Sequence, residues 1–424
     1  MPVTRPPLRV GVLGAGTVGR AVVDGLTNHP ERLVATDGAP LRLAGIAVRD
    51  LDRARLAGLP AELLTDAPAH LVADPDVDVI VELMGGDEPA RTLIAAALAA
   101  GKAVVTANKH VIAHHGPVLE AAARRTGAAF RFEAAVGGGI PVLSPLASDL
   151  AGNEIRRVRG IINGTTNYIL TAMAQDGRSY EEVLADAQEL GYAEADPSGD
   201  VEGDDAANKL VILARLAFGR WLDPATIGRR APTARGMGRP GITGVTDLEM
   251  EGAAALGLTI KLLATATRRD DEVEAAVMPT AIPADSPFGW TDGVVNRVEV
   301  DADPLGTVRL AGPGAGGPAT SSAVLGDLVA VARDRGSTWA GLLPATDPAG
   351  PAADPLDGPR HWYAFLPAVR ADVPLPGALD QAAAVDFEDG TAIRSEVVSL
   401  AEAKAAFTAI LPEGADVTLY PVDD

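Results

Sequence analysis

The chain opens its first apolar strand pattern with Leu8-Arg-Val-Gly-Val-Leu13 and continues with Gly14-Ala-Gly16-Thr-Val-Gly19. An amphipathic helix pattern then runs to about Leu26. The first glycine suits a tight turn, the second lets a pyrophosphate approach the backbone, and the third permits close packing of helix on strand. Because a helix N-terminus attracts phosphate groups, this order of elements predicts a dinucleotide site. The predicted cofactor contacts in this stretch are Gly14, Gly16, Thr17, Val18 and Gly19.

Three further strand patterns follow in the N-terminal third, at residues 43–48, 77–83 and 102–106, with a helical pattern at 89–100. Strands that alternate with helices imply a parallel, doubly wound sheet whose ligands lie at the C-terminal ends of the strands. Asn108 and Lys109 follow the last strand, so we expect them at this ligand edge. A lysine is unfavourable at a helix N-terminus, which indicates a functional role for Lys109. The alternative is an ordinary lysine at a helix start.

The second strand ends at Arg49-Asp50, where the residue that contacts the adenosine ribose is expected. An Asp at this place accepts from the 2′-hydroxyl of NAD. Arg49, with Arg53 and Arg55 nearby, can instead pair with the 2′-phosphate of NADP. The cluster of guanidinium groups favours NADP over NAD and makes Arg49 a predicted contact. The alternative is that this arginine-rich helix start is only solvated.

Length and composition exclude several classes of protein. A chain of 424 residues is expected to form about two or three domains with substantial cores. The net charge of −21 argues against nucleic-acid binding, which depends on basic residues. There is no cysteine, so disulfides, thiolate metal sites and cysteine nucleophiles are excluded. No apolar run reaches the length of a bilayer span and the N-terminus lacks a signal core, so we expect a cytoplasmic protein without membrane contact.

Two stretches raise the question of a metal ion. Residues 130–141 leave a strand and enter a glycine-rich turn, where backbone carbonyls and the Glu133 carboxylate suit a hard group I or II cation. A flexible hinge is the alternative for this turn. His110 and His114 have the i, i+4 spacing of a zinc pair, but no carboxylate ligand motif accompanies them, and we do not expect zinc.

The middle of the chain carries polar groups ahead of a helical pattern that runs to about Met173. In the stretch Ile161-Ile-Asn163-Gly-Thr165-Thr-Asn167, we expect Thr165 or Thr166 to cap this helix. Its amide and hydroxyl groups are predicted to contact a polar substrate.

A loop rich in carboxylates and glycine, residues 191–203, leads into a second helical pattern at 204–218. Asp205 and Lys209 lie four residues apart on one face of that helix. A solvated surface ion pair is one interpretation. The wall of a substrate pocket is the other, and the nucleotide sheet that precedes it in the chain favours this second interpretation.

Taken in order, the motifs of about residues 8–335 resemble those of homoserine dehydrogenase. The resemblance implies reversible NAD(P)H-dependent reduction of L-aspartate 4-semialdehyde to L-homoserine, in threonine and methionine biosynthesis. The last motif is the most specific, because glycine motifs of the first kind occur in many unrelated enzymes. The motifs are GAGTVG, VELMGG, VVTANK, FEAAVGGGIP, IINGTTNYIL and GYAEADPSGDVEGDDAANKL.

The resemblance also implies roles for individual residues. Lys209 and Lys109 are the implied catalytic lysines, with Lys209 as proton donor to the aldehyde oxygen and Asp200 in support of it. The implied or predicted substrate contacts are Glu194, Asp205, Lys109, Asn163 and Thr165. Further implied cofactor contacts are Lys109, Gly191 and Gly314. The implied sodium site comprises Glu133, Val136, Gly138 and Ile140.

The chemistry agrees with these residue types. Hydride attack on an aldehyde builds negative charge on oxygen, which an ammonium group neutralises by donating a proton. Lysine can do this near neutral pH and arginine cannot. A rival, aspartate-semialdehyde dehydrogenase, needs a nucleophilic cysteine that the chain lacks. A second rival is a non-catalytic nucleotide-sensing protein that has kept only the sheet, and the presence of both lysines and both carboxylates argues against it.

The last part of the chain is predicted to hold a second sheet and a small tail. After a helix at 246–256, strands at 258–267, 272–282, 294–300 and 307–310 predict an open antiparallel sheet, which forms the dimer core in the resembled family. A helix at 320–333 follows. The predicted domains are a Rossmann-like NAD(P)-binding domain at 1–135 completed by about 311–340, an α+β catalytic and dimerisation domain at 136–310, a linker at 341–359, and a small α+β tail at 360–424.

Larger members of the resembled family carry a regulatory ACT domain where this tail lies. The stretch Asp372-Val-Pro-Leu-Pro-Gly377 only approximates the usual Asp-x-Pro-Gly turn, so the tail is a degenerate ACT-like or other small α+β fold. We do not expect feedback inhibition by threonine. The expected partners are a small amino-acid substrate and further copies of the chain, in a homodimer or homotetramer.

Overall fold

The computed structural model describes residues 5–33, 38–339, 341–345, 349–370, 375 and 377–423. Backbone contacts divide the chain into two compact units. The first comprises Met1–Ile155, Val211–Pro224 and Asp301–Gly350, and the second comprises Arg156–Leu210, Ala225–Val300 and Pro351–Asp424. The domain ranges given above stay predictions. None of the helices in these described ranges is long and apolar enough to cross a membrane.

The N-terminal part of the first unit is a six-stranded sheet with helices between its strands. The strands are β1 (Leu8–Leu13), β2 (Leu41–Ala47), β3 (Leu64–Thr65), β4 (Val79–Glu82), β5 (Ala103–Thr106) and β6 (Phe130–Arg131). The helices are α1 (Thr17–Asn28), α2 (Leu51–Leu56), α3 (Pro68–Ala73), α4 (Ala90–Ala99) and α5 (Lys109–Thr126). The sheet is parallel, in the order β3-β2-β1-β4-β5-β6. This order is that of a dinucleotide-binding sheet, and the predicted fold class is confirmed.

A second sheet follows in the chain. The next helices are α6 (Leu143–Ala147), α7 (Gly164–Asp176), α8 (Tyr180–Glu189), α9 (Ser198–Val201), α10 (Asp204–Phe218), α11 (Asp247–Ala255) and α12 (Gly317–Ala332). The strands are β7 (Glu154–Ile161), β8 (Arg230–Pro232), β9 (Met237–Pro240), β10 (Leu258–Arg269), β11 (Glu272–Pro283), β12 (Val295–Asp303) and β13 (Gly306–Pro313). The five-stranded order is β11-β10-β7-β12-β13, with β10 antiparallel to β7 and β11.

The open antiparallel sheet was predicted, but its central strand was not. Strand β7 lies between β10 and β12. Its sequence, Glu-Ile-Arg-Arg-Val-Arg-Gly-Ile, breaks the strict alternation of apolar and polar residues that indicates a strand. Ile155, Val158 and Ile161 are nevertheless buried. They recur every three residues, with arginines between them, and this spacing does not have the period of two that indicates a strand.

Helix α12 completes the helical layer of the first sheet. Val324 and Leu328 belong to the same buried cluster as Val22 and Leu26 of α1. Gly25 has no space for a side chain, because an added Cβ would come within 2.7 Å of Leu325 Cδ1. The apolar face of α1 is therefore covered by a segment that follows it in the chain by about 300 residues.

The C-terminal tail is a four-stranded sheet with one helix. Its elements are β14 (Trp362–Pro367), β15 (Ala383–Asp386), β16 (Gly390–Arg394), α13 (Leu400–Ile410) and β17 (Tyr420–Pro421), in the sheet order β15-β16-β14-β17. Trp362 and Phe407 share a buried cluster with Ala276 and Met278 of β11. The tail is therefore part of the core of the second unit, together with β11. The predicted turn at 372–377 lies largely outside the described residues.

The described part of the predicted linker is packed. Ala353 pairs with Glu274 of β11, and Leu356 is buried in the same cluster as the tail. The Pro- and Gly-rich composition therefore corresponds here to irregular backbone that packs along strand β11.

Candidate active site

The glycine turn after β1 has the close approaches that the sequence predicted. Gly14 has φ +97°, and a Cβ there would lie 2.7 Å from the carbonyl oxygen of Leu83. A Cβ on Gly19 would lie 2.1 Å from the carbonyl oxygen of Gly14. Gly16 stands at the N-cap of α1 with open space around it and no side-chain cap. The first turn of α1, which includes Thr17 and Val18, therefore presents backbone N–H groups to a ligand.

A cavity of about 490 Å³ runs along this edge of the sheet. Arg49 and Arg53 line it beside Asp50, whose carboxylate accepts from the Arg53 N–H at 2.9 Å and caps α2. Arg55, the third member of the predicted arginine cluster, instead pairs with Asp52 at 2.8 Å and does not line the cavity. Arg20 of α1 lines the cavity instead, so three guanidinium groups still face it, but one of them differs from the predicted set.

The cavity residues fit a nicotinamide dinucleotide. The wall passes from the end of β2 at Arg49, over Gly14 and Gly16, to Met84 and Gly85 after β4. This path crosses the reversal of strand order, where dinucleotides bind in sheets of this kind. A helix N-terminus suits the pyrophosphate, and the guanidinium groups suit a further phosphate.

Asn108 and Lys109 lie at the C-terminal edge of β5, as predicted from the chain order. The Asn108 side chain accepts from the Val111 N–H at 3.2 Å and caps α5. Its Nδ2 donates to the carbonyl oxygen of Gly86 at 2.8 Å. Lys109 is the first residue of α5 and is half-buried. Asn108 therefore joins the start of α5 to the loop after β4.

The Glu133 carboxylate has a different role from the one expected. It accepts from the N–H groups of Val142, Leu143 and Ser144 at 2.7–2.8 Å and from the Ser144 hydroxyl at 2.6 Å. These four bonds hold the first turn of the short helix α6. The expectation that this carboxylate itself ligates a cation is corrected, because its lone pairs are already used. Candidate ligands at this loop are backbone carbonyl groups.

A buried ion pair holds the same loop from the side of α12. Asp327 accepts from Arg131 Nε at 2.7 Å and from the Glu133 N–H at 2.8 Å. Burial raises the pKa of Asp327 to about 6, although the neighbouring Arg131 opposes this shift. Glu133 is thus held at two points, its backbone N–H by Asp327 and its carboxylate by the start of α6.

Gly314 and Gly138 meet at a backbone contact. A Cβ added to Gly138 would lie 2.4 Å from the carbonyl oxygen of Gly314, and Gly138 has φ +55°. Three residues on, a Cβ on Gly317 would lie 2.9 Å from Thr17 Cγ2 at the start of α1. The glycines before α12 therefore let residues 314–317 approach both the turn at Gly138 and the first turn of α1.

Asn163 is the centre of a polar cluster in the second unit. Its Nδ2 donates to Asp200 at 2.6 Å and to Asp205 at 2.9 Å. Its Oδ1 accepts from the Thr166 N–H at 2.9 Å and caps α7. The prediction that Thr165 or Thr166 caps this helix is therefore wrong. An Asn can satisfy the cap and both carboxylates at once, which a hydroxyl cannot.

Lys209 and Asp205 form the ion pair that their spacing predicted. The Lys209 Nζ lies 2.6 Å from Asp205 Oδ2 and donates to the carbonyl oxygen of Ile162 at 2.7 Å. The two side chains are only 11% and 10% exposed, so this is no solvated surface pair. The ammonium therefore lies in a buried cluster with at least two carboxylates.

The acidic loop lies beside this cluster in the chain. Glu194 and Gly191 are exposed, and the Gln188 side chain donates to the Glu194 carbonyl oxygen at 3.1 Å. The Thr165 hydroxyl donates to the carbonyl oxygen of Tyr192 at 2.7 Å. Thr165 thus holds the acidic loop through this hydrogen bond. Among the described residues, the Glu194 carboxylate accepts no hydrogen bond.

The sequence patterns did not single out several buried polar residues, and Glu82 and Lys261 are two of them. Glu82 closes β4 and is fully buried, with hydrogen bonds to the loop after it. Lys261 in β10 is 2% exposed. The signal for Glu82 was its place at a strand end in the VELMGG motif. The signal for Lys261 was a charge within the apolar part of a strand whose two other charges, Arg268 and Arg269, stand at its end.

Known proteins similar to this chain belong to one family. Residues 14–133 match the family profile for the homoserine dehydrogenase NAD-binding domain, and residues 141–329 match the homoserine dehydrogenase profile. The homoserine dehydrogenase of Mycobacterium tuberculosis (strain ATCC 25618 / H37Rv) is 48% identical over 340 residues, which is 79% of this chain and 74% of that protein.

Solved structures give the same family. A homoserine dehydrogenase from Thiobacillus denitrificans has a TM-score of 0.86 and 36% identity, covering 99% of this chain and 98% of that one. A hyperthermophilic archaeal homoserine dehydrogenase in complex with NADPH has a TM-score of 0.64 and 26% identity, covering 78% and 98%. A non-catalytic sensing protein is not favoured by these matches. The chain is an oxidoreductase and belongs to the homoserine dehydrogenase family.

Proposed function

We propose that this enzyme reversibly reduces L-aspartate 4-semialdehyde to L-homoserine in the cytoplasm, with NADP(H) preferred over NAD(H), in threonine and methionine biosynthesis. The observation that carries the assignment of residues is the buried cluster of Lys209, Asp205, Asn163 and Asp200. It combines a buried ammonium group with carboxylates that are partly open to solvent. This combination complements an aldehyde that carries an α-amino group.

Lys209 is proposed as the proton donor. An ammonium group has three N–H donors, and two of them have acceptors among the described residues, Asp205 and Ile162. The third is left for a substrate oxygen. A bound nicotinamide supplies or accepts the hydride at the substrate carbon. Lys209 then delivers a proton to the oxygen as negative charge develops there, and takes it back in the reverse direction. Lys109 is proposed as the second catalytic lysine.

The carboxylates are proposed to hold the substrate amino group. Asp205 and Glu194 supply the negative charge, and Asp200 supports the lysine through Asn163. Asn163 uses both amide hydrogens on the two aspartates, so its contribution to substrate binding is to orient them. Thr165 contributes through its hydrogen bond to the acidic loop.

The cofactor contacts are proposed partly from the first unit, where the cavity lies, and partly from the family resemblance. Gly14, Gly16, Thr17, Val18 and Gly19 form the phosphate turn, and Gly191 and Gly314 are further proposed contacts. Arg49 at the end of β2 supports a preference for NADP, together with the NADPH bound by the archaeal relative. A 2′-phosphate is bound more strongly by a guanidinium group than by a carboxylate such as Asp50.

A monovalent cation, sodium, is proposed at the backbone carbonyl groups of Glu133, Val136, Gly138 and Ile140. All four residues are buried. Among the described residues, the carbonyl oxygens of Val136, Gly138 and Ile140 have no hydrogen-bond donor. Buried carbonyl groups without a donor are costly, and a hard cation satisfies them.

A homodimer or homotetramer is proposed for the assembly. Trp290, Val294 and Val295 are apolar side chains exposed near one another in the chain, at 67%, 40% and 39%. Large exposed apolar groups of this kind are typical of protein contact surfaces. Light scattering of the purified enzyme at several concentrations tests the assembly, and a monomer at all of them contradicts it.

One assay tests the proposed activity. Homoserine-dependent reduction of NAD and NADP is measured side by side, each in sodium, potassium or a bulky organic cation. We expect reduction that depends on homoserine, a higher kcat/KM with NADP, and stimulation by sodium. Absence of reduction with either cofactor contradicts the proposed reaction. Equal kcat/KM values contradict the NADP preference alone, and equal rates in the three cations contradict the cation site alone.

A further inference from the structure

Glu82 has surroundings that differ from those of an ordinary buried carboxylate. It is the last residue of β4, its exposure is 0%, and its donors among the described residues are two backbone N–H groups and one hydroxyl. Its Oε1 accepts from the N–H groups of Met84 at 2.7 Å and Gly85 at 3.3 Å. Its Oε2 accepts from the Thr106 hydroxyl at 2.7 Å. All of these bonds go to the ligand edge of the sheet.

The network continues from Thr106 into the next loop. The Thr106 Oγ1 accepts from the Asn108 N–H at 2.9 Å. The Asn108 side chain returns to the first loop through its bond to the Gly86 carbonyl oxygen at 2.8 Å and also caps α5. The loops after β4 and β5 are therefore joined in one closed set of hydrogen bonds, which includes the residue directly before Lys109.

The loop after β4 needs this support because of its backbone. Gly85 and Gly86 both lie in the left-handed region, with φ +72° and +73°. Consecutive glycines lose much conformational entropy when they are ordered. Met84 and Gly85 also line the proposed cofactor cavity, on the side of β4 that receives the nicotinamide half in sheets of this order.

We propose that Glu82 is a positioning residue that holds the nicotinamide side of the cofactor cavity and the start of α5 in one fixed arrangement. This role rests on the proposed function of the cavity, and Glu82 acts through the Met84 and Gly85 backbone and the Thr106 hydroxyl. The Glu82 carboxylate accepts all three of its hydrogen bonds, so it sets the direction of the bonds in the network. The Thr106 hydroxyl has to donate to Glu82, which leaves its lone pairs for the Asn108 N–H.

The substitution Glu82→Gln keeps the shape of the side chain and reverses the direction of its hydrogen bond with Thr106. The glutamine Nε2 is a donor, so the Thr106 hydroxyl loses its acceptor while its oxygen is approached by two N–H groups. We expect the dissociation constant of NADPH to rise about tenfold, the size of effect that one lost hydrogen bond of this kind produces. The KM for homoserine is expected to change much less.

A matched control is available in the same unit. Glu120 is also buried, with bonds to Arg215 at 2.7 Å and to Trp221 at 2.8 Å, and it does not line the cavity. Glu120→Gln is expected to lower the unfolding midpoint without changing the dissociation constant of NADPH. A second pair tests Thr106, where Thr106→Val removes the hydroxyl and Thr106→Ser keeps it.

The experiment titrates NADPH fluorescence against each full-length variant and measures kcat and both KM values. The inference is supported if Glu82→Gln and Thr106→Val weaken NADPH binding about tenfold, with Thr106→Ser close to wild type. It is overturned if Glu82→Gln binds NADPH like the wild type or like Glu120→Gln. If Glu82→Gln does not fold, equal binding by Thr106→Val and Thr106→Ser overturns it. A wild-type enzyme without homoserine oxidation contradicts the proposed function instead.

Discussion

Two buried lysines of the second unit have different surroundings. Lys261 in β10 is 2% exposed, and its ammonium lies within 2.9–3.3 Å of four acceptors, on Asn167, Thr171, Thr291 and Asp292. Lys209 in α10 is 9% exposed and has two acceptors among the described residues. A lysine has three N–H donors, so Lys261 is fully used within the protein and Lys209 is not.

Under the proposed function, burial of a lysine is not by itself the mark of a catalytic site. Burial lowers the pKa of Lys261, although Asp292 opposes the shift, and a lowered pKa is often taken as a functional signal. Yet this lysine holds α7 against the loop before β12. What sets Lys209 apart is a donor left for a ligand and a surplus of carboxylates around it.

The largest expected effect is at Lys209. In Lys209→Met, we expect kcat for homoserine oxidation to fall roughly 10²- to 10⁴-fold, because general acid–base assistance is lost. NADPH binding measured by fluorescence titration serves as the check that the variant is folded. Turnover close to the wild-type value would remove the distinction between the two lysines.

The same substitution at Lys261 is the matched variant. Lys261→Met leaves buried oxygen acceptors without a donor, which costs about 1–3 kcal/mol of unfolding free energy. Urea unfolding at neutral pH measures this loss, and kcat of the folded enzyme is expected to stay near the wild-type value. A loss of kcat as large as that of Lys209→Met would contradict the structural role.

Arg49 extends the comparison to a cation that is exposed in a cavity. Arg49→Ala is expected to raise the KM for NADPH about tenfold, from loss of a charge-assisted bond to a phosphate, with little change in the KM for NADH. Arg55→Ala is the control, because Arg55 already pairs with Asp52. Steady-state kinetics with NADPH and NADH measures both KM values. Equal effects on the two would refute the assignment of Arg49 to the 2′-phosphate of NADPH.

The smallest effect is expected at a buried carboxylate. Burial raises the pKa of Glu249, while bonds from Thr246 and Tyr420 oppose this shift. Below the ordinary value of 4.5 both folded and unfolded states hold the proton. Above it the unfolded state ionises first, so stability falls as pH rises towards the higher pKa of the folded state.

Glu249→Gln removes this titration. We expect the stability of the variant relative to the wild type to increase from pH 4 to pH 7, by about 1.4 kcal/mol for each unit of the pKa shift. Denaturant unfolding of both proteins at a series of pH values measures it. A difference that is constant with pH would show that Glu249 has the same pKa in both states.

Local patterns predicted much of the fold. Strand β1 and helix α10 have the bounds that their patterns indicated, and most other elements differ by a few residues at their ends. Strand β7 was missed because charged residues interrupt its alternation. The helix cap at Asn163 was assigned to the wrong residue, because several capping residue types occur together there and only their positions in space distinguish them.

The sequence by itself determined the nucleotide sheet, the Asp205–Lys209 pair and the family to which the chain belongs. These depend on short periods and on motifs whose residues are neighbours along the chain. The tertiary structure decided which polar groups are already used: the Glu133 carboxylate on α6, the Asn163 amide on two aspartates, and Glu82 on the next strand. Such bonds join residues far apart in sequence, and their formation depends on distance and burial that only the packed chain defines.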